Sequence, residues 1–312
     1  MGTKKSLLAG FFISFTGAIL FSTKAIIIKK AFHATAADAL TLLSLRMLFS
    51  LPFYVFAAFW GSRKEENVRM TRRQWAWVVV LGLLGYYFSS YFDFLGLQYI
   101  SAGLERLILF LYPSFAVLIN AVAFRQKMSR VQLLALLLTY IGIGIAYFGE
   151  LRVDTGNPNF FWGSFLVFCC AVTYAFYLSG TGRMIKVLAP AKFTTYSMLV
   201  ATGAVFLHFI LRGTITGNYH VPADGGHGLW IYAVLLALFA TVIPSFMLTA
   251  GMQRIGANNA AIVTSIGPVS TILQAHFILG DPIFMEQVVG TVLVIAGVLL
   301  IGWRGTKTAE GV

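Results

Sequence analysis

Unbroken apolar runs of about twenty residues alternate with short polar stretches along the whole chain. A helix needs about 20 apolar residues to cross a bilayer core of roughly 30 Å. The chain offers ten such runs, at about 7–28, 39–60, 75–93, 101–124, 131–149, 160–182, 193–211, 229–250, 257–279 and 284–303. They are continuous and do not alternate, so the pattern predicts helices and not the short alternating strands of a membrane barrel. Connectors are short. The longest are the basic stretch Gly61–Gln74 and the glycine-containing stretch Arg212–Gly228, which leaves no length for a soluble domain.

Composition sharpens this picture. Of 312 residues 58% are apolar and only 11% charged, against roughly a quarter charged in an ordinary soluble domain. Mean hydropathy is +0.81. These values exclude a soluble enzyme, a nucleic-acid binder and a disordered chain, because a soluble globule could not hide so much apolar surface. The formal charge of +12 changes meaning once the 23 basic residues are placed between the runs. Sixteen, including Lys4, Lys5, Arg63, Lys64, Arg125, Lys127 and Arg183, fall on one side of the membrane, and four, Lys29, Lys30, Arg152 and Arg212, on the other. Three, Lys24, Arg46 and Arg106, lie inside runs. Positive residues concentrate on the cytoplasmic side, so both termini are expected there, in a multi-pass protein of the cell (inner) membrane. Lys4 and Lys5 followed by an apolar stretch and Ala34-Thr35-Ala36 imitate a secretory signal, but the stretch is too long, and it is expected to persist as the first span. Cys169 and Cys170 are adjacent and without metal-ligand spacing, so they carry no information on redox compartment.

The chain also repeats itself. At an offset of 155 residues, Trp75–Phe148 falls on Trp230–Trp303 without a gap and with fourteen identities. The informative matches are Trp75/Trp230, Ser90/Ser245, Gly96/Gly251, Gln98/Gln253, Pro113/Pro268, Gln132/Gln287 and Gly142/Gly297. At an offset of 153 the first run falls on the sixth, with Gly10/Gly163 and Phe15/Phe168 among the matches. Five spans is an odd number, so the second copy enters from the opposite side. The prediction is an all-α integral membrane protein of ten helices in two inverted five-helix repeats, 1–153 and 154–312. Inverted halves let one site open to each face in turn, which suits a transporter.

At these positions the chain resembles the EamA family of the drug/metabolite transporter superfamily. The residues carrying the resemblance are Phe21-Ser22-Thr23-Lys24, Arg46, and the paired stretches Gly96-Leu97-Gln98-Tyr99-Ile100-Ser101-Ala102-Gly103 and Gly251-Met252-Gln253-Arg254-Ile255-Gly256-Ala257-Asn258, each leading to a proline. Leu279-Gly280-Asp281-Pro282 with Gln287, Gly290 and Gly297 fits that family's closing pattern, whereas Phe124-Arg125-Gln126-Lys127 stands where the family usually has an acid. The resemblance implies export of a metabolite without specifying which.

Ionisable groups inside the runs bear on mechanism, because each costs roughly 2.5–3.5 kcal/mol to insert unless paired or wet. Lys24, Arg46, Glu105 and Arg106 qualify, and Asp93 ends the third run. All five are expected in the outer half of the membrane. Positions so near the interface also suit snorkelling or mutually paired charges, and for Lys24 and Arg106 both readings stand. The functional reading is a central cavity between helices 1–4 and 6–9. In it Lys24 and Arg106 would hold an anionic or zwitterionic solute, while Asp93 and Glu105 pair with the cations when it is empty. Continuous helical spacing would put Tyr112 on the face of Glu105. Pro113 and Pro268 each free a carbonyl near mid-membrane, as packing kinks or as symmetric hinges. Tyr87 and Tyr174 belong to a tyrosine-rich set suited to ring or amphipathic solutes. His208 and His276 read as packed or interfacial groups.

No P-loop, metal motif or nucleophile–base pair is present in the sequence, so no cofactor and no enzymatic step are expected. The partners expected are the lipid bilayer and a small-molecule metabolite, not nucleic acid, for a monomer or homodimer. The leading expectation is a secondary transporter. A channel-like facilitator, a receptor and an intramembrane enzyme follow behind it.

Overall fold

A computed structural model describes residues 2–62, 70–123, 128, 130–153, 157–184, 188, 190–217, 227–255 and 263–309. Asn258, the stretch Phe124–Lys127 and several of the sorted basic residues lie outside the described residues. Among the described residues the secondary structure is helical throughout. The helices are α1 (Gly2–Ala34), α2 (Ala39–Ser62), α3 (Arg72–Gly82 continued by Ser89–Gly96), α4 (Ala102–Leu109 and Tyr112–Ala123), α5 (Arg130–Val153), α6 (Phe160–Met184), α7 (Pro190–Thr216), α8 (His227–Ala237 continued by Ile243–Ile255), α9 (Gly267–Gln274) and α10 (Met285–Ala309). Eight are long and apolar enough to cross a membrane, and α10 adds the shorter apolar stretch Met285–Leu300.

Local chemistry accounts for several boundaries. Asp38 accepts the Thr41 N–H at 2.8 Å at the start of α2, and Thr71 forms a reciprocal capping box with Gln74 at the start of α3. Both satisfy N–H groups that a helix start leaves without partners. Large apolar side chains stay exposed on the outer faces, among them Phe11, Phe12, Leu133, Leu137, Phe161, Phe165, Leu207 and Ile210. Outward apolar surface is what a bilayer requires.

The two halves share irregularities as well as residues. α3 contains a π turn at Leu83–Phe88 and α8 one at Leu238–Val242, starting 155 residues apart. α4 breaks at Phe110–Leu111 and resumes at Tyr112; its counterpart α9 begins at Gly267, again after a two-residue turn. Packing is reciprocal too. α1 lies against α8 and α9, while its counterpart α6 lies against α3 and α4; α2 meets α8 as α7 meets α3. α5 and α10 pair along their length. A Cβ on Gly142 would stand 2.7 Å from the Gly290 carbonyl oxygen, so small residues set that approach.

Pro113 and Pro268 correct the mid-helix kink expected from the sequence. Each is the second residue of a helix that has just begun, where a missing N–H costs nothing. The break before Tyr112 also removes the continuous helix on which its shared face with Glu105 depended.

Candidate functional site

Lys24 is the hub of the buried charges. Its Nζ lies 2.7 Å from an Asp93 oxygen and 3.8 Å from a Glu105 oxygen. The three residues are 8%, 1% and 0% exposed, so water does not screen them. Lys24 is the cation that both carboxyl groups face among the described residues, and the two carboxyl groups also stand within hydrogen-bond reach of each other. Glu105 stands in the first turn of α4, opened by Ser101, whose hydroxyl accepts the Leu104 N–H at 3.0 Å. A carboxylate there faces the positive end of the helix dipole. Glu150 of α5 accepts the Ser101 N–H at 3.3 Å, which fixes that end of α4.

The two arginines are placed differently. Arg46 donates from Nε to the Thr241 hydroxyl at 2.8 Å, and that hydroxyl donates to the Leu236 carbonyl across the π turn of α8. Its guanidinium also lies 5.5 Å from the Phe94 ring centroid. Arg106, 7% exposed, stands 5.7 and 5.8 Å from the rings of Phe21 and Phe110. Its Nε lacks a hydrogen-bond partner, and a Cβ on Gly267 would stand 2.7 Å from its Nη2. Among the described residues, both carboxylates of the group pair with Lys24 and neither with an arginine. The expected pairing of empty-site cations is therefore concentrated on one of the three.

Of the tyrosines, Tyr112 and Tyr174 meet edge to face at 5.1 Å, and Arg106 acts electrostatically on both. Tyr86 and Tyr177 share a hydroxyl hydrogen bond of 2.7 Å. Tyr87 lies elsewhere, its hydroxyl 3.0 Å from His208 Nδ1 on α7. Nearby, Arg212 of α7 is ion-paired to Asp38. Burial pushes the Asp38 carboxyl up, but hydrogen bonds from Thr41 and Arg212 outweigh it and hold it below the usual carboxylate range. His276 Nδ1 lies 2.8 Å from the Asp281 carbonyl oxygen.

Sequence reasoning missed Thr241, Gly267, Phe110 and Cys170, whose thiol lies 3.7 Å from the Ser89 hydroxyl beside Asp93 and Lys24. The repeat offers a signal for one of them, because Gly267 is the counterpart of Tyr112. A groove of about 460 Å³ on the outside of α5 and α10, lined by Ile141, Phe148 and Glu286 among others, is nearly all apolar and holds none of these groups.

Long apolar helices with charges buried between them define a multi-pass membrane protein. The model of the EamA-like transporter family matches residues 8–148 and 161–303. The chain belongs to that family. It is 27% identical to the uncharacterized transporter YcbK of Bacillus subtilis strain 168, over 97% of this chain and 95% of that protein. With the uncharacterized inner membrane transporter YicL of Salmonella typhimurium it shares 23% identity, over 94% of this chain and 95% of that protein. A solved structure described only as the crystal structure of a protein superposes with a TM-score of 0.61 at 19% identity, covering 93% of this chain and 94% of the other, a likeness of fold.

Proposed function

We propose that the chain is a secondary transporter that exports or exchanges a small polar metabolite, anionic or zwitterionic and amino-acid-like in size. Ten spans in two inverted halves, 1–153 and 154–312, rock around a central site, with both termini cytoplasmic. Lys24, Arg46, Asp93, Glu105, Arg106, Tyr112 and Tyr174 bind the solute, and Tyr87 lines the outer approach beside His208. Pro113 and Pro268, each just after a break, let α4 and α9 bend. The protein acts as a monomer or homodimer and catalyses no covalent step.

The observation that carries this reading is the buried cluster of three cations and two carboxylates, held by α1 to α4 and touched from the other half by Thr241 and Gly267. A dry site with an excess cation favours a negatively charged guest. Support for alternating access comes from the matched π turns, the matched breaks and the reciprocal packing of the halves. Purified protein in liposomes, preloaded with unlabelled metabolites and tested for counterflow of the labelled compound, provides the test. Flux lost in Lys24→Ala and Arg106→Ala supports the site. Normal flux in both variants removes it, and currents far above carrier turnover would replace the carrier with a channel.

A further inference from the structure

Arg106 and Lys24 are both buried cations, yet their surroundings differ in a way that discriminates among guests. Two carboxylates converge on a single ammonium at 2.7 and 3.8 Å. That arrangement is a receptor for an ammonium group, and Lys24 already fills it. Arg106 is the reverse case: a guanidinium near two aromatic rings, an Nε without a hydrogen-bond partner and no carboxylate paired to it among the described residues.

Resting on the site assigned above, we propose that the protein selects an organic anion over a zwitterion of the same size, with Arg106 as the anchor and Lys24 occupying the place a substrate ammonium would need. Charge balance supplies the first reason. Three cations face two carboxylates, so one added negative charge completes the set, whereas a zwitterion adds none. Displacement supplies the second. A guest ammonium could reach Asp93 and Glu105 only by expelling Lys24, 8% exposed and tethered to α1, and a buried ammonium without its partners is strongly disfavoured. Geometry supplies the third. The Nε–Nη2 edge of Arg106 is the planar fork that matches a carboxylate, and the centroids of the Phe21 and Phe110 rings stand 5.7 and 5.8 Å from the guanidinium carbon. That edge now rests against Gly267 of the opposite half, whose missing side chain makes room for it. Tyr112 and Tyr174 retain accessible surface beside it, offering flat walls and hydroxyls to the rest of the guest.

The test uses the purified full chain in detergent and follows its thermal unfolding midpoint, since a ligand of the native state raises it by mass action. The probes are sodium propionate, L-alanine, which differs from it by the ammonium group, and alaninamide hydrochloride, at ionic strength matched with sodium chloride. Propionate is expected to raise the midpoint saturably, with half-effect at a concentration at least tenfold below that of alanine, and alaninamide to leave it unchanged. Arg106→Gln is expected to abolish the propionate effect, and Arg106→Lys, which keeps the charge but loses the fork, to weaken it severalfold. Alanine equal to or better than propionate, stabilisation by alaninamide, or no saturable effect of propionate overturns the proposal. Should Arg106→Gln fail to fold, the propionate-to-alanine ratio of the unmodified protein still decides. The measurement needs no flux, so a selective binder that carries nothing in liposomes defeats the transporter reading alone, and a carrier that prefers zwitterions defeats this proposal alone.

Discussion

Replacing Lys24 with Met removes the ammonium shared by Asp93 and Glu105 while keeping most of the side-chain volume. The two carboxylates, 1% and 0% exposed, are then left within a site that water does not reach. Removing one partner of a buried ion pair costs about 3–5 kcal/mol, and two carboxylates depend on this partner, so the upper part of that range is expected. Asp93→Asn is the informative contrast. It leaves Lys24 one carboxylate at 3.8 Å and removes one charge-assisted hydrogen bond, at about 1.5–3 kcal/mol. The pair Lys24→Met/Asp93→Asn closes a double-mutant cycle, with a coupling between 0.5 and about 3 kcal/mol in the sense that the double variant is more stable than the sum of the singles predicts. SDS titration of the protein in mixed micelles, read by tryptophan fluorescence, measures all four species. Wild-type stability in Lys24→Met, or a coupling indistinguishable from zero, would refute a dry Lys24–Asp93–Glu105 group.

Asp38→Asn removes the outer ion pair with Arg212 while leaving an α2 cap of similar strength. Because the folded carboxyl titrates below its ordinary value, its stabilisation is present above about pH 4 and is lost as the pH falls through the folded value. The wild type is therefore expected to lose up to about 1 kcal/mol more than Asp38→Asn between pH 6 and the acid limit of the unfolding assay; parallel pH profiles would contradict the pairing with Arg212. Gly142→Leu should separate α5 from α10, since even a Cβ would stand 2.7 Å from the Gly290 carbonyl oxygen, and a loss of about 1–3 kcal/mol with a broadened size-exclusion peak is expected. Unchanged stability and profile would show that this approach is not tight.

Much of the fold was legible in the sequence because a bilayer imposes a long, simple hydrophobic period. The expected run at 160–182 corresponds to α6 at Phe160–Met184, and the run at 39–60 to α2 at Ala39–Ser62. The repeat, visible through Trp75/Trp230 and Pro113/Pro268, is echoed by π turns starting at Leu83 and Leu238. The π turns themselves were not legible, since an extra residue per turn leaves hydrophobicity unchanged. Lys24, Asp93 and Glu105 stood out as charges inside apolar runs, and the structure brings them together. What spacing could not give was who pairs with whom. Spacing puts Tyr112 on the face of Glu105 only through a continuous helix, which breaks at Phe110–Leu111, and Tyr87, one of a tyrosine-rich set, meets His208 instead. Gly267 was silent because a glycine announces the space it leaves only when the neighbour that fills it, here Arg106, is known.

Alternating exposure of the buried charges can be followed at Cys170 without any substrate. Its thiol is 2% exposed and lies beside Lys24 and Asp93. In a Cys169→Ser background, Asp38→Cys and Arg212→Cys are bridged by a short bis-maleimide across the outer ends of α2 and α7. Labelling of Cys170 by a charged methanethiosulfonate is then timed in right-side-out and inverted vesicles. Slow labelling is expected from both sides before bridging, and from the cytoplasmic side alone afterwards. Labelling that persists from outside with the bridge in place, or none from either side without it, would contradict alternating exposure.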